Sequence, residues 1–142
     1  MRCVTNERPG NPGRKTIAVW GLSFKPETDD MRESASIQLI QSIIKAGGKV
    51  NAYDPKAIHE AQFYLKGVEV NYCNDKYTAL EAADALILVT EWKEFRSVDL
   101  GMVKKKLSYP LIIDGRNIYD LDEMTAMGFN YYSVGRKTIY SK

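Results

Sequence analysis

Three cations in the segments that follow strand-like runs are the side chains of this sequence best suited to chemistry: Lys25, Arg32 and Arg116. Lys25 stands in Gly21-Leu22-Ser23-Phe24-Lys25-Pro26, behind the apolar run Ile17 to Trp20. An ammonium on a flexible stem suits a phosphate or a sugar oxygen, and Phe24 beside it can offer its ring or its backbone to the same ligand. Taken as a bare residue, a loop lysine is usually just solvated. Arg32 lies near the start of a helical pattern, where it either pairs with Glu33 or Asp29 on the surface or adds its guanidinium to the positive end of the helix. Arg116 follows the strand pattern Leu111 to Asp114, and Gly115 lets the backbone turn sharply and carry the side chain over a sheet edge. An internal ion pair from Arg116 to Asp114 or Asp120 is its structural alternative.

Other candidates weigh less. Asp54 ends a strand where a dinucleotide-binding fold puts its ribose carboxylate, but Pro55 directly after it favours helix capping. Glu91-Trp92-Lys93-Glu94-Phe95 also follows a strand, and lines a cleft or simply packs its loop down. His59, the only histidine, has no metal-binding companion. Cys3 and Cys73 are isolated, without ligand spacing, and neither has the neighbours of a nucleophile.

These side chains need a scaffold, and the sequence alternates strand and helix signals. Ile17 to Trp20 opens the series, and a helix from Asp30 carries Ile37, Ile40, Ile43 and Ile44, with Asp30 and Glu33 as a capping box and Gly47-Gly48 as the stop. Lys49 to Tyr53 is the second strand; Asp54-Pro55 opens a helix through about Leu65, and Val68 to Asn71 is a short third strand. A helical turn at Tyr77 to Ala83 precedes a buried strand, Ala85 to Thr90, then a helix, Asp99 to Leu107. Leu111 to Asp114 is a strand, Leu121 to Met127 a helix stopped by Gly128, and Phe129 to Ser133 the last strand. The alternation predicts an α/β fold: a doubly wound, mostly parallel Rossmann-like sheet with helices on both faces. About ten residues bridge the first strand and its helix, against about 2 to 6 in ordinary units, and ligands gather outside the carboxyl ends of such strands. The loop lacks the glycine patterns that cradle phosphates through backbone amides, so an anion there relies on Lys25 and Arg32.

A chain of 142 residues suits one domain able to bury a core without metal or disulfide support. Met1 to Arg14, with Pro9-Gly10-Asn11-Pro12-Gly13, reads as a flexible leader or linker ahead of a domain spanning 15–142. A balance of 20 basic and 18 acidic residues, +2 overall, gives no reason to expect nucleic acid or membrane binding. The one basic run, Lys104-Lys105-Lys106, is a solvated helix face. A soluble, cytoplasmic protein in a reduced compartment is the expectation, with no metal site.

The segment Gly21-Leu22-Ser23-Phe24-Lys25-Pro26-Glu27-Thr28-Asp29-Asp30-Met31-Arg32-Glu33-Ser34 resembles the C-terminal domain of the UDP-glucose/GDP-mannose dehydrogenase family, whose members carry a G-L-A-F-K-P-x-T-D-D-x-R-E-S-like stretch. Glu81 to Phe95 is similar to that family's later strand and loop, and Asp114-Gly115-Arg116-Asn117 to its last ligand-facing turn. The resemblance covers roughly residues 15 to 135 and is nearest in flavour to bacterial UDP-glucose 6-dehydrogenases.

It implies an enzyme that oxidises C6 of UDP-glucose twice with two NAD, through a cysteine thiohemiacetal and thioester, releasing UDP-glucuronate with water. It implies that Phe24, Lys25 and Arg116 contact the UDP-sugar, that Lys25 helps stabilise the oxyanion, and that Arg32 reaches the NAD pyrophosphate. NAD would be bound mainly by an N-terminal domain, the chain's expected partner. The catalytic cysteine would lie in a glycine-rich segment outside this sequence. The chain is therefore expected to be an excised UDP-sugar half, inactive alone, monomeric or weakly dimeric, from a homodimeric parent. The same domain of a GDP-mannose or UDP-N-acetylhexosamine dehydrogenase, or a stand-alone nucleotide-binding module, is the alternative.

Overall fold

The computed structural model describes residues 15–140; the proposed leader, with Cys3, lies outside them. Strand β1 (Thr16–Trp20) is followed by α1 (Ala35–Lys45), β2 (Lys49–Tyr53), α2 (Ile58–Tyr64) and β3 (Asn71–Tyr72). A 3₁₀ turn at Thr78–Leu80 leads to β4 (Ala85–Leu88), α3 (Lys93–Arg96), α4 (Leu100–Lys106), β5 (Leu111–Asp114), α5 (Leu121–Met127) and β6 (Asn130–Ser133). The six strands form one sheet in the order β3-β2-β1-β4-β5-β6, with every strand pairing parallel. Strand order reverses between β1 and β4, which makes the carboxyl end of that pair the switch point where ligands enter such sheets.

Alternate side chains of the strands enter two cores. Ala18, Trp20, Leu86, Leu88 and Ile112 pack against Phe95, Val103, Leu107 and Met124, from the helices after β4 and β5. Ile17, Val19, Val50 and Ala52 pack against Ile40, Ile43, Ala61 and Leu65, from α1 and α2. Helices thus cover both faces, as the sequence predicts.

Several boundaries differ from the sequence expectation. The Asp30–Glu33 capping box does not form: α1 starts at Ala35, and Ser34 caps it by accepting the Ser36 N–H at 3.2 Å. The helix after Asp54 begins only at Ile58, following a turn. Strand β3 occupies Asn71–Tyr72 rather than Val68 to Asn71, because Val68 and Val70 pack on the core outside any strand. Helix α3 lies in a stretch read as loop.

Gly21 sets how close the two central loops come. Its φ is 98°, and a Cβ added there would sit 2.5 Å from the Thr90 backbone nitrogen and 2.6 Å from the Thr90 Cβ. Gly21→Ala should therefore combine a left-handed backbone, about 1–2 kcal/mol, with an overpacked contact, about 1–3 kcal/mol. A loss of about 3 kcal/mol by urea unfolding is the expected result.

Candidate functional site

Asp54 is the node of the crevice between β1 and β4. Its side chain is buried, 2% exposed. Oδ2 accepts from Leu22 N–H at 2.7 Å, Ser23 N–H at 3.0 Å, the Ser23 hydroxyl at 3.3 Å and the Trp92 indole N–H at 3.3 Å. Oδ1 accepts from the Lys56 and Ala57 N–H groups, each at 2.8 Å. The sequence reading of Asp54 as a cap needs correction: Ala57 occupies the N-cap of α2. Asp54 instead closes the turn ahead of that helix and binds the β1 and β4 loops to it.

The loop after β1 is tied down at further points. Thr90 Oγ1 donates to Ser23 O at 2.6 Å across the crevice. The Ser34 and Ser36 hydroxyls donate to Leu22 O at 2.6 and 2.7 Å. Phe24 N–H bonds Asp30 O at 2.7 Å, and Ser23 Oγ donates to Lys25 O at 2.8 Å. On this fixed backbone Phe24 and Lys25 are exposed, and no described side chain takes the Lys25 ammonium in a hydrogen bond or ion pair. The backbone is pre-organised, and the ammonium remains available.

Arg32 is exposed and grips Asp30, Nε to Oδ1 at 3.1 Å and Nη2 to Oδ2 at 2.9 Å. That partner is neither Glu33 nor Asp29, and Arg32 precedes α1 rather than standing within its first turn. The Arg32 guanidinium, by hydrogen bonding first, pulls the Asp30 carboxyl down to about 2.

Arg116 stands on a turn organised by a second buried carboxylate. Asp114, 1% exposed, accepts from Arg116 N–H at 2.8 Å, Ile118 N–H at 2.8 Å and Tyr119 N–H at 3.3 Å. It also accepts from the Tyr131 hydroxyl at 2.5 Å. Burial and the carboxylate beside it push the Tyr131 phenol well above its ordinary range. Gly115 follows with its N–H on Leu88 O at 3.0 Å, where an added Cβ would also meet that oxygen at 3.0 Å.

The Arg116 side chain crosses to the β4 loop, donating from Nε to Val89 O at 2.9 Å with Glu91 Oε1 at 3.2 Å. Neither Asp114 nor Asp120 forms the anticipated ion pair; Asp120 caps α5 through Glu123 N–H at 3.0 Å. Glu91 Oε1 is buried without a hydrogen bond, so its tie to Arg116 is one of charge. No described residue takes either Nη group of Arg116 in a hydrogen bond or ion pair, and such a pair of donors has the fork geometry that suits phosphate.

The switch point thus brings together the Phe24-Lys25 loop, the Val89–Trp92 segment and the Arg116 turn. Trp92 and Phe95 are buried, Phe95 stacking on Trp20 at 4.8 Å between centroids, so this aromatic pair packs its loop down. The sequence marks Glu91 only as part of the loop Glu91 to Phe95; its pairing with Arg116 follows from the β4–β5 register. His59 is exposed on α2, and the buried Cys73 thiol is pushed up by desolvation. No group of three or more metal-binding side chains occurs among the described residues. One cavity, bordered by Thr16, Lys49 and Glu81, opens at the amino ends of β1 and β2, opposite the switch point.

Comparison with known proteins gives a concordant picture. Residues 18–121 match the model of the UDP-glucose/GDP-mannose dehydrogenase family, UDP binding domain. The chain is 45% identical over 120 residues to UDP-glucose 6-dehydrogenase of Rhizobium meliloti, covering 84% of this chain and 27% of that one. It is 43% identical over 130 residues to UDP-glucose 6-dehydrogenase TuaD of Bacillus subtilis, covering 92% and 28%. Among solved structures, an NDP-N-acetyl-D-galactosaminuronic acid dehydrogenase from Methanosarcina mazei superposes with a TM-score of 0.78 at 27% identity, covering 91% of this chain and 26% of that one. The chain spans about a quarter of the length of the curated relatives it matches.

Two measurements probe this geometry. Asp54→Asn leaves an NH₂ facing backbone donors and should cost about 3 kcal/mol of stability by denaturant unfolding, the scale of charge-assisted hydrogen bonds lost in a buried site. Carbon-13 NMR titration should find the Asp30 carboxyl near 2, with Arg32→Ala returning it towards its ordinary value.

Proposed function

The chain belongs to the UDP-glucose/GDP-mannose dehydrogenase family, as its UDP-binding domain, and from that premise we propose that the β1–β4 crevice holds the UDP-sugar of an NAD-dependent UDP-glucose 6-dehydrogenase. The observation that carries the reading is the pair of cations at the switch point, Lys25 and Arg116, whose ammonium and Nη groups are taken by no hydrogen bond or ion pair among the described residues. In this reading Arg116 takes an anionic group of the nucleotide by a two-pronged contact. Phe24 lines the sugar, and Lys25 places positive charge near the carbon being oxidised, where an oxyanion would develop.

The residues present do not fit NAD in the dinucleotide position of this sheet. The carboxylate at the end of β2 that would take a ribose hydroxyl is Asp54, already filled by protein donors and buried. We therefore place NAD mainly on another domain of the parent enzyme, with Arg32 as the residue of this chain that faces its pyrophosphate. Cys73 is buried with its thiol pushed up, the opposite of an activated nucleophile. On this account the polypeptide alone forms no NADH, and the parent is a cytoplasmic homodimer.

A second reading keeps the site and changes the sugar to a UDP-N-acetylhexosamine: the likeness to the Methanosarcina mazei enzyme, whose name carries an N-acetylated NDP-sugar, favours the N-acetyl group. Calorimetric titration of this chain with UDP-glucose, UDP-N-acetylmannosamine and GDP-mannose separates the two. Saturable binding of UDP-glucose, weakened about tenfold or more by Arg116→Ala, as for loss of a charge-assisted pair, and weakened by Lys25→Ala, is the expected result. Tighter binding of the N-acetylated sugar would transfer the proposal to the second reading, and binding indifferent to both substitutions would remove these residues from the site.

A further inference from the structure

The turn that carries Arg116 is held by more than its own strand. Beyond β6 the chain doubles back, and Tyr131 and Ile139 exchange backbone hydrogen bonds of 2.9 and 3.0 Å in an antiparallel bridge. Arg136 fastens the middle of this strap, donating to Ser133 Oγ at 3.0 Å and to the Tyr131 hydroxyl at 2.7 Å. Asn117 joins the strap to the turn: its Nδ2 donates to Val134 O and its Oδ1 accepts the Val134 N–H, both at 2.9 Å. One amide side chain thereby satisfies both backbone groups of one residue. The strap lies outside residues 18–121, the part matched by the family model.

Asn117 has a φ of 57°, a conformation asparagine tolerates better than most residues. A purely conformational role would leave its amide without specific partners, whereas here both ends of the amide engage Val134. The neighbouring Arg116 is anchored by its own N–H to Asp114 and must still reach Val89 O from Nε at 2.9 Å. A shift of the turn by an ångström breaks that bond.

We infer that Asn117 is a positioning residue: by clasping Val134 it fixes the turn from which Arg116 reaches Val89 and Glu91 and presents its Nη groups outward. The consequence for binding rests on the reading of Arg116 as a ligand contact; the geometric part does not. Asn117→Gly keeps the backbone freedom and deletes the amide, while Asn117→Asp keeps the acceptor for Val134 N–H and deletes the donor.

In the ligand-free 142-residue chain, solvent exchange of the Arg116 Nε–H, followed by nitrogen-15 NMR, should accelerate about fivefold or more in Asn117→Gly and less in Asn117→Asp, on the scale of coupling between neighbouring residues. The Val19 amide in the central strand should not change. UDP affinity should fall by about fivefold in the glycine variant, with no further fall when it is combined with Arg116→Ala. Exchange equal to the parent's overturns the inference whatever UDP does, and so do losses that simply add to those of Arg116→Ala. Accelerated exchange with UDP binding indifferent to Arg116→Ala upholds the positioning role and sinks the ligand reading instead. Should the glycine variant fail to fold, the aspartate variant carries the same comparisons.

Discussion

A carboxylate buried at the end of β2 governs the architecture of the crevice. Left alone, such a charge would be costly to remove from water. Asp54 tolerates burial because donors from the β1 loop, the β4 loop and the turn before α2 converge on its two oxygens. The dependence runs both ways, since those backbone N–H groups lie at strand ends with no ladder partner. Asp114 repeats the arrangement at the end of β5 with the Arg116, Ile118 and Tyr119 amides and the Tyr131 hydroxyl. Each of these two anions is consumed by the protein, while Lys25, and Arg116 through its Nη groups, have no carboxylate hydrogen-bonded to them among the described residues. On the proposed reading, a crevice organised around acids thereby offers cations to the nucleotide sugar.

The same arrangement underlies the proposal that NAD is held mainly outside this domain, although its sheet is doubly wound like that of a dinucleotide-binding domain. The position that elsewhere takes a ribose is occupied by a structural node, and the first loop has traded glycines for a longer, bolted segment. Two serines on Leu22 O, Thr90 on Ser23 O and the Phe24–Asp30 bond stiffen about a dozen residues that would otherwise be costly to order when a ligand arrives. What stays outside this network is the exposed end of a lysine.

How much of this was legible in the sequence depended on the range of the interaction. Lys49–Tyr53, Leu111–Asp114 and Leu121–Met127 match the sequence expectation to the residue because local signals bound them: alternation of buried and more exposed positions in the first strand, an apolar run in the second, and Gly128 in a left-handed cap for the helix. The start of α1 was misplaced because Asp30 and Glu33 fit a capping pattern, whereas Asp30 is taken by Arg32 and Glu33 has a φ of 60°. Helix α3, four residues long, is too short to show a period. The cations Lys25, Arg32 and Arg116 were visible from loop position and family resemblance. Their partners were not: the links from Asp54 to Leu22, Arg116 to Val89 and Asn117 to Val134 exist only once the sheet sets the register.

The folded-back strap also changes what the sheet offers at its flank. A six-stranded parallel sheet ends in two edges, each a row of unpaired amides and carbonyls that can template another chain. Here β3 contributes only two residues, and β6 is crossed by the Tyr131–Ile139 bridge, with Arg136 beside it. Neither flank presents a long, flat ladder. A segment whose visible task is to steady one turn also shields the sheet against edge-to-edge polymerisation.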